Sequence, residues 1–145
     1  MERKSAKEQN AQNQKEFREP SDEVNQLAYQ VIGAAIAVHR HLGPGFLEQI
    51  YEEALIVEIA ERGIPFRRQV TLPVFYRDRL VGESRLDLLV DDLLVVELKA
   101  VEELRPVHGS QVLSYLRAGA FELGVLINFN VSLLPHGIRR IVWTS

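Results

Sequence analysis

The chain has 145 residues, of which 46% are hydrophobic and 26% charged, which suits one globular domain and leaves little for a second core. It contains no cysteine, which excludes disulfides and thiolate chemistry, and no apolar run approaches the roughly 18 to 20 residues that a bilayer span requires. The net charge of −3 lacks the overall basic excess of nonspecific nucleic-acid binders, although arginines are scattered through the middle of the chain.

The N-terminal segment differs in composition from the rest. Residues 1–20 are polar, with Phe17 as their one large aromatic, and are predicted to form a flexible tail or a frayed helix. Residues 21–145 are predicted to form the folded domain. We expect a cytoplasmic protein, because the chain lacks cysteine and its start lacks the apolar run of a signal peptide.

Two helices are predicted to follow the tail. Ser21 is a suitable N-cap, and apolar residues then recur at helical spacing as far as about Leu42. The glycines and the proline at residues 43–45 should end this helix. A second helix should run from about Phe46 to Arg62.

The pattern then changes to that of strands. Residues 66–76, 80–90 and 93–100 alternate or run apolar between short polar segments. Pro106 opens a third helix that should continue to about Ala120. Residues 123–129 are almost continuously apolar, as expected of a central strand covered on both faces, and residues 138–143 form a last strand. The order ααβββαββ predicts an α/β fold.

The hairpin formed by the second and third strands carries the most informative residues. Glu97 and Lys99 share one face of their strand because the side-chain period is two. A two-residue loop at residues 91–92 would place Asp87 opposite Val96, whereas a three-residue loop at residues 91–93 would pair Asp87 with Glu97. We expect the three-residue loop, with one residue in the left-handed region that Asp tolerates.

Two opposed carboxylates repel each other, and they can be accommodated by solvent exposure, by a raised pKa or by a bound cation. The neighbouring residues are apolar, which disfavours exposure. A hard divalent cation such as Mg²⁺ or Mn²⁺ suits these oxygen ligands, and Lys99 could orient or activate a water and stabilise phosphate charge. These parts indicate a phosphoryl-transfer hydrolase. The alternative is a solvated hairpin face with a weak ion pair between Glu97 and Lys99.

The helices supply further candidates. Glu48 and Tyr51 lie three residues apart and therefore on one helical face, and Gln111 and Tyr115 lie one turn apart on the third helix. Glu48 could equally be a carboxylate placed favourably at a helix N-terminus, and Tyr51 a core residue with a hydrogen-bonded hydroxyl.

Two histidines have open roles. His39 lies just before the turn that leads to Glu48, and it either belongs to the site or caps the carbonyls at the end of the first helix. His108, near the start of the third helix, either contacts phosphate or solvates the helix end.

The order of these residues resembles that of the PD-(D/E)XK nuclease superfamily, including its exonuclease branch: Asp87, then Glu97-Leu98-Lys99, then Gln111-x-x-x-Tyr115. The spacing Gly45-x-x-Glu48-x-x-Tyr51, followed by the segment of residues 123–130, looks like the GxxExxY protein family within that superfamily. The likeness covers about residues 22–145. It departs from the family at the hairpin turn, where Asp92 stands in place of a frequent glycine.

The resemblance implies a restriction-endonuclease-like fold, with a mixed central β-sheet flanked by helices. It implies that Glu48, Asp87 and Glu97 coordinate Mg²⁺, or Mn²⁺ in its place, together with the main-chain carbonyl of Leu98. Lys99 would be the catalytic lysine. The remaining two candidates, Gln111 and Tyr115, would order the region of that lysine or contact the nucleic-acid backbone.

The implied function is a metal-dependent nuclease that hydrolyses phosphodiester bonds in DNA or RNA and leaves 5′-phosphate and 3′-hydroxyl ends. Two alternatives stay open. The acidic net charge and the compact size favour a catalytically silent nuclease-fold module that binds or regulates a nucleic-acid or protein partner. A hydrolase of small phosphorylated or nucleotide substrates is the other. The long apolar strands are also compatible with a homo-oligomer, and no membrane association is expected.

Overall fold

The computed structural model describes residues 19–144, and the predicted tail over residues 1–20 lies almost entirely outside the described residues. Pro20, at its end, is buried against the domain, and its carbonyl accepts a hydrogen bond from the Asn25 side chain at 3.1 Å. No helix within the described part of the chain has the length and apolar character needed to span a bilayer. The elements are α1 (Asp22–Leu42), α2 (Glu48–Glu61), β1 (Phe66–Tyr76), β2 (Arg79–Val90), β3 (Leu94–Lys99), α3 (Pro106–Gly119), β4 (Leu123–Asn128), a short 3₁₀ helix (Leu134–Gly137) and β5 (Ile138–Val142).

The first two helices begin and end for local reasons. The Ser21 hydroxyl accepts a hydrogen bond from the Val24 N–H at 3.3 Å, which confirms the predicted N-cap of α1. Gly43 and Gly45 have φ of 70° and 109°, so the chain leaves the helix through left-handed conformations that glycine adopts without strain. The second helix, α2, starts at Glu48, two residues later than predicted.

The five strands form one mixed sheet in the order β1-β2-β3-β4-β5. The β3–β4 pair is parallel and is connected through α3, whereas the other neighbours are antiparallel. Helices α1 and α2 cover one face and α3 covers the other, and every residue of β4 is buried, as the continuous apolar run predicted. The predicted α/β fold, a mixed sheet flanked by helices, is therefore confirmed.

The β1–β2 hairpin changes the face that it presents at Gln69, whose φ is 49°. Phe66 packs with the apolar cluster under α1 and α2, but Val70 and Leu72 pack with the cluster under α3. Side chains alternate along a regular strand, so Phe66, Val70 and Leu72 would all point to the same side of the sheet. The left-handed backbone at Gln69 therefore reverses the side to which the following residues point. Between Gln69 and its turn at residues 77–78, the hairpin runs along α3. The carboxylates described next lie beside Gln69, where the sides are reversed.

Candidate active site

The loop between β2 and β3 sets the register of the candidate residues. Leu88 lies opposite Val96, and Val90 lies opposite Leu94, so the predicted three-residue loop, residues 91–93, is confirmed. Both Asp91 and Asp92 adopt the left-handed region, with φ of 50° and 55°, where one such residue was expected. Continuing this register places Asp87 opposite Glu97.

Asp87 and Glu97 exchange hydrogen bonds with the opposite backbone. The Asp87 N–H donates to Glu97 Oε1 at 3.3 Å, and the Leu98 N–H donates to Asp87 Oδ2 at 2.9 Å. The two carboxylates thus satisfy backbone donors where the strand pairing ends. Since the N–H and C=O of one strand residue point to the same side, the Leu98 carbonyl also points toward Asp87.

Glu48 reaches the same region from α2. Together with Asp87, it lines a pocket of about 430 Å³. Burial raises the pKa of Glu48, the negative charges of Asp87 and Glu52 raise it further, and the positive charge of Lys99 opposes them. Glu48 therefore lies close enough to Asp87 and Lys99 for their charges to shift its pKa.

Glu97 is the most strongly perturbed of the carboxyl groups. Only 3% of the residue is exposed, and burial, with the hydrogen bond and the charge of Asp87, raises the pKa of Glu97 to about 8. Lys99 Nζ lies 4.0 Å from Glu97 Oε2 and lowers this pKa in part. Of the three ways foreseen from the sequence to accommodate the opposed carboxylates, solvent exposure does not apply to Glu97, and its pKa is raised.

The third helix brings Tyr115 to the carboxylates. The Tyr115 hydroxyl donates to Glu97 Oε2 at 3.4 Å inside the protein. Burial and the charge of Glu97 raise the pKa of Tyr115 to about 12, which keeps the phenol protonated. The nearby side chain of Gln111, which is itself exposed, acts in the opposite direction and lowers the pKa of Tyr115. Of the two residues of the helix motif, Tyr115 is therefore the one that contacts Glu97.

Tyr51 orders the turn that delivers Glu48. Its hydroxyl donates to the Gly43 carbonyl at 2.6 Å and accepts from the Phe46 N–H at 3.1 Å, while its ring stacks on Phe129 with centroids 4.6 Å apart. Tyr51 is fully buried, so the alternative of a core residue with a hydrogen-bonded hydroxyl is confirmed. It is a core residue whose hydroxyl positions the loop before α2.

The two candidate histidines contact other parts of the fold. His39 Nε2 lies 2.7 Å from the Val131 carbonyl, and the ring lies against Phe129. Nδ1 of His108 accepts a hydrogen bond from the Arg105 N–H at 2.8 Å, so this residue caps the start of α3. Neither contact joins a histidine to the carboxylates.

A second set of polar residues beside the site was not singled out from the sequence. Glu52, one turn after Glu48, accepts hydrogen bonds from Arg68 and from Gln69, both at 2.9 Å. Arg68 and Gln69 carry no spacing signal, because their role depends on the left-handed backbone of Gln69 opposite Asp87.

Asn128, on β4, lies opposite Lys99 and is buried. Its side chain accepts from the Val101 N–H at 3.0 Å and donates to the Val101 carbonyl at 2.9 Å. These bonds hold the segment that follows Lys99. Asn128 could have been identified from the sequence, because a polar residue at the end of a buried apolar run is unusual.

The donor chemistry of the site fits a hard divalent cation. Glu48, Asp87 and Glu97 offer carboxylate oxygens. The raised pKa of both glutamates comes first from burial and then from the neighbouring Asp87, whose negative charge a cation would balance. Among residues 19–144, however, no three Asp, Glu, His or Cys side chains are already arranged to hold a metal ion. The residues fit by type, and binding would require them to adjust.

Comparison with protein families identifies the superfamily of the chain. A sequence model of the PD-(D/E)XK nuclease superfamily matches residues 25–141, which include every candidate residue named above. Nucleases of this superfamily generally use divalent metal ions. No curated protein and no solved structure matches the chain.

Proposed function

The chain belongs to the PD-(D/E)XK nuclease superfamily, and from that premise we propose that it is a Mg²⁺-dependent nuclease that hydrolyses phosphodiester bonds in DNA or RNA. The observation that carries the proposal is the convergence of carboxylates from three elements next to a lysine. Asp87 and Glu97 are in contact, Glu48 shares a pocket with Asp87, and Lys99 lies 4.0 Å from Glu97. Nucleic acid is the substrate class that the superfamily implies.

Glu48, Asp87 and Glu97 would hold the Mg²⁺, joined by the Leu98 carbonyl, which points to the same side of β3 as the Leu98 N–H that Asp87 binds. Mn²⁺ is an alternative ion for the same oxygen donors. A bound divalent cation supplies charge neutralisation and Lewis-acid polarisation at a phosphoryl oxygen.

The protein groups around the cation site have separate tasks. The Lys99 ammonium donates hydrogen bonds that orient the attacking water and stabilise charge on the phosphate oxygens. The water loses a proton to solvent and forms a new bond to phosphorus as the bond to the 3′-oxygen breaks. The 3′-oxygen takes up a proton from solvent, which leaves 5′-phosphate and 3′-hydroxyl ends. Tyr115 fixes the orientation of Glu97, and Gln111, which is exposed one turn before it on α3, would contact the nucleic-acid backbone.

Finer assignments remain predictions. We propose that the chain is a GxxExxY protein, because Tyr51 of that motif anchors the turn before Glu48. A cytoplasmic location and a homo-oligomeric state stay predictions from composition and from the long apolar strands. The same holds for the boundary of the folded domain at residue 21.

The test is cleavage of single- and double-stranded DNA and RNA in Mg²⁺, in Mn²⁺ and in EDTA. We expect cleavage with metal only, and a loss of at least about 100-fold for Asp87→Asn and Lys99→Ala, since removal of one preorganised group that stabilises the transition state costs about that much. End-group analysis should find 5′-phosphates. Glu61→Gln is a matched control, because it removes an exposed carboxylate at the other end of α2.

Absence of metal-dependent cleavage on all four substrates would refute catalysis. So would cleavage by Asp87→Asn at the wild-type rate, because the activity would then belong to a contaminant or to another site.

A second candidate, the catalytically silent binding module, is favoured by the arrangement of the carboxylates. Asp87 and Glu97 contact each other directly, and no group of three side chains among the described residues is already arranged to hold a metal ion. This candidate predicts nucleic-acid or protein binding without turnover.

A further inference from the structure

A groove lies between α3 and the part of the β1–β2 hairpin that is near its turn at residues 77–78. We call it the arm groove. It has a volume of about 620 Å³, within the range of ligand-binding pockets. The residues that line it on its hairpin side include Pro73, Phe75 and Ser84, and those on its helix side include Leu113, Ser114 and Arg117.

The lining combines an aromatic ring, hydroxyl groups and a positive charge. Phe75 is 61% exposed, although a ring of that size is usually buried. The hydroxyl groups of Ser84 and Ser110 can donate hydrogen bonds to a ligand, whereas Ser114 donates its own to the Gln111 carbonyl, and Arg117 is exposed. None of the residues that line the arm groove, all of them within the described part of the chain, is acidic. The groove is thus complementary to an anionic ligand that also carries aromatic rings.

The tip of the hairpin continues this surface. Tyr76 and Leu80 are exposed there, and the Arg77 guanidinium lies 5.5 Å from the centroid of the Tyr76 ring. Between residues 73 and 85 the hairpin has three arginines and two acidic residues, whereas the whole chain has a net charge of −3. The hairpin therefore provides local positive charge beside an acidic site.

The arm groove lies close to the carboxylates along two elements. Ser84, in the groove, precedes Asp87 by three residues of β2, or about 10 Å at the rise of a strand. On α3, Ser114 faces the groove and its neighbour Tyr115 contacts Glu97.

We propose that the arm groove binds an unpaired nucleic-acid strand next to the phosphodiester that is cleaved. A base stacks on Phe75, and Arg117 with the hydroxyls of Ser84 and Ser110 contacts the backbone phosphates. A duplex fits this chemistry poorly, because its bases are already stacked and cannot present a face to the ring. This inference rests on the proposed function, and it specifies the substrate as single-stranded.

The test measures binding separately from cleavage. Fluorescence anisotropy in EDTA gives the affinity of the full chain for fluorescein-labelled 15-nucleotide dT and U oligomers and for a 15-base-pair duplex. We expect at least tenfold tighter binding of the unpaired oligomers than of the duplex. The dT and U arms show whether the groove distinguishes DNA from RNA.

Substitutions at Phe75 test the stacking contact. Phe75→Leu keeps an apolar side chain but removes the ring, and it should weaken binding at least about fivefold, the low end of what one stacked base contributes. Phe75→Tyr should bind as the wild type does. Tyr29→Ala removes a ring that is 75% exposed on α1 and is the matched control with no expected effect.

Arg117 is tested by the salt dependence of binding. Arg117→Ala should reduce the slope of log K against log salt by about 0.7, the value for one phosphate contact on a single strand. Arg40→Ala, an exposed arginine of α1, should leave the slope unchanged.

Each result decides one claim. Equal affinity for duplex and single strands, wild-type binding by Phe75→Leu, or no binding at all would overturn the groove inference, whatever the cleavage assay shows. Light scattering that reveals a dimer lost in Phe75→Leu would also overturn it, because a second copy of the chain would then occupy the groove. Binding with these variant effects but without metal-dependent cleavage would support the groove and refute the proposed catalysis.

Discussion

Raising the pH from 5 to 8 in EDTA should destabilise the protein, because Glu97 then has to ionise inside the fold. The pKa of this carboxyl is about 8 in the folded state, against 4.5 for an ordinary glutamate. The unfolded chain therefore loses the proton at a lower pH than the folded chain does. Between these two pKa values the folded state binds more protons, so the free energy of unfolding falls as the pH rises.

The size of the effect follows from the same two values. One pKa unit corresponds to about 1.4 kcal/mol, and integration between pH 5 and pH 8 gives a loss of about 3 to 4 kcal/mol. This is a large part of the roughly 5 to 15 kcal/mol that stabilises a typical domain. The stabilising effect is fully present below pH 4.5 and is lost as the pH rises through 8.

The assay is urea denaturation at pH 5, 6.5 and 8, followed by circular dichroism and by Trp143 fluorescence. Glu97→Gln has nearly the same shape and cannot titrate, so the difference between wild type and variant cancels the contribution of the other groups. Glu103→Gln, an exposed carboxylate, is the control and should keep the wild-type pH dependence. If wild type and Glu97→Gln lose the same stability between pH 5 and pH 8, Glu97 is not protonated in the fold and the reasoning is wrong.

Three further predictions concern the metal and the positioning residues. At pH 8, Mg²⁺ should raise the melting temperature, because a ligand at 100 times its Kd stabilises the folded state by about 2.7 kcal/mol. Glu97→Gln should abolish this response in a thermal melt. Tyr51→Phe should lower the free energy of unfolding by about 1 to 3 kcal/mol in urea denaturation, because the half-buried Gly43 carbonyl loses its donor at 2.6 Å. An unchanged midpoint would contradict this. Asn128→Ala should lower the free energy of unfolding by about 3 kcal/mol and slow cleavage, since the N–H and the carbonyl of Val101 both lose their partners. Full stability and full activity would show that Asn128 does not hold the segment after Lys99.

The sequence predicted the elements well because their signals are local. The N-cap at Ser21, the glycines of residues 43–45 and the apolar run of β4 each follow from a few neighbouring residues. The pairing of Asp87 with Glu97 followed from loop length alone, since one residue more or fewer in the turn would have moved Glu97 to the other face.

The contacts that the sequence did not predict depend on the tertiary arrangement. Nothing in the pattern of β1 marks Gln69 as a left-handed residue, because glutamine has no preference for that region. Its side chain and that of Arg68 meet Glu52 only after the hairpin and α2 have packed together. His39 and His108 show the reverse case, in which a chemically versatile residue near the site serves the backbone.

The reversal at Gln69 divides the hairpin into two parts that can vary separately. The part near the Asp91–Leu93 loop fixes the carboxylates, and the part near the Arg77–Asp78 turn forms a wall of the arm groove. Insertions or deletions at that turn would lengthen or shorten the wall by whole residue pairs while the distance from Asp87 to Glu97 stays the same. A protein engineer could therefore change the length of strand that is gripped without disturbing the groups proposed to cleave it.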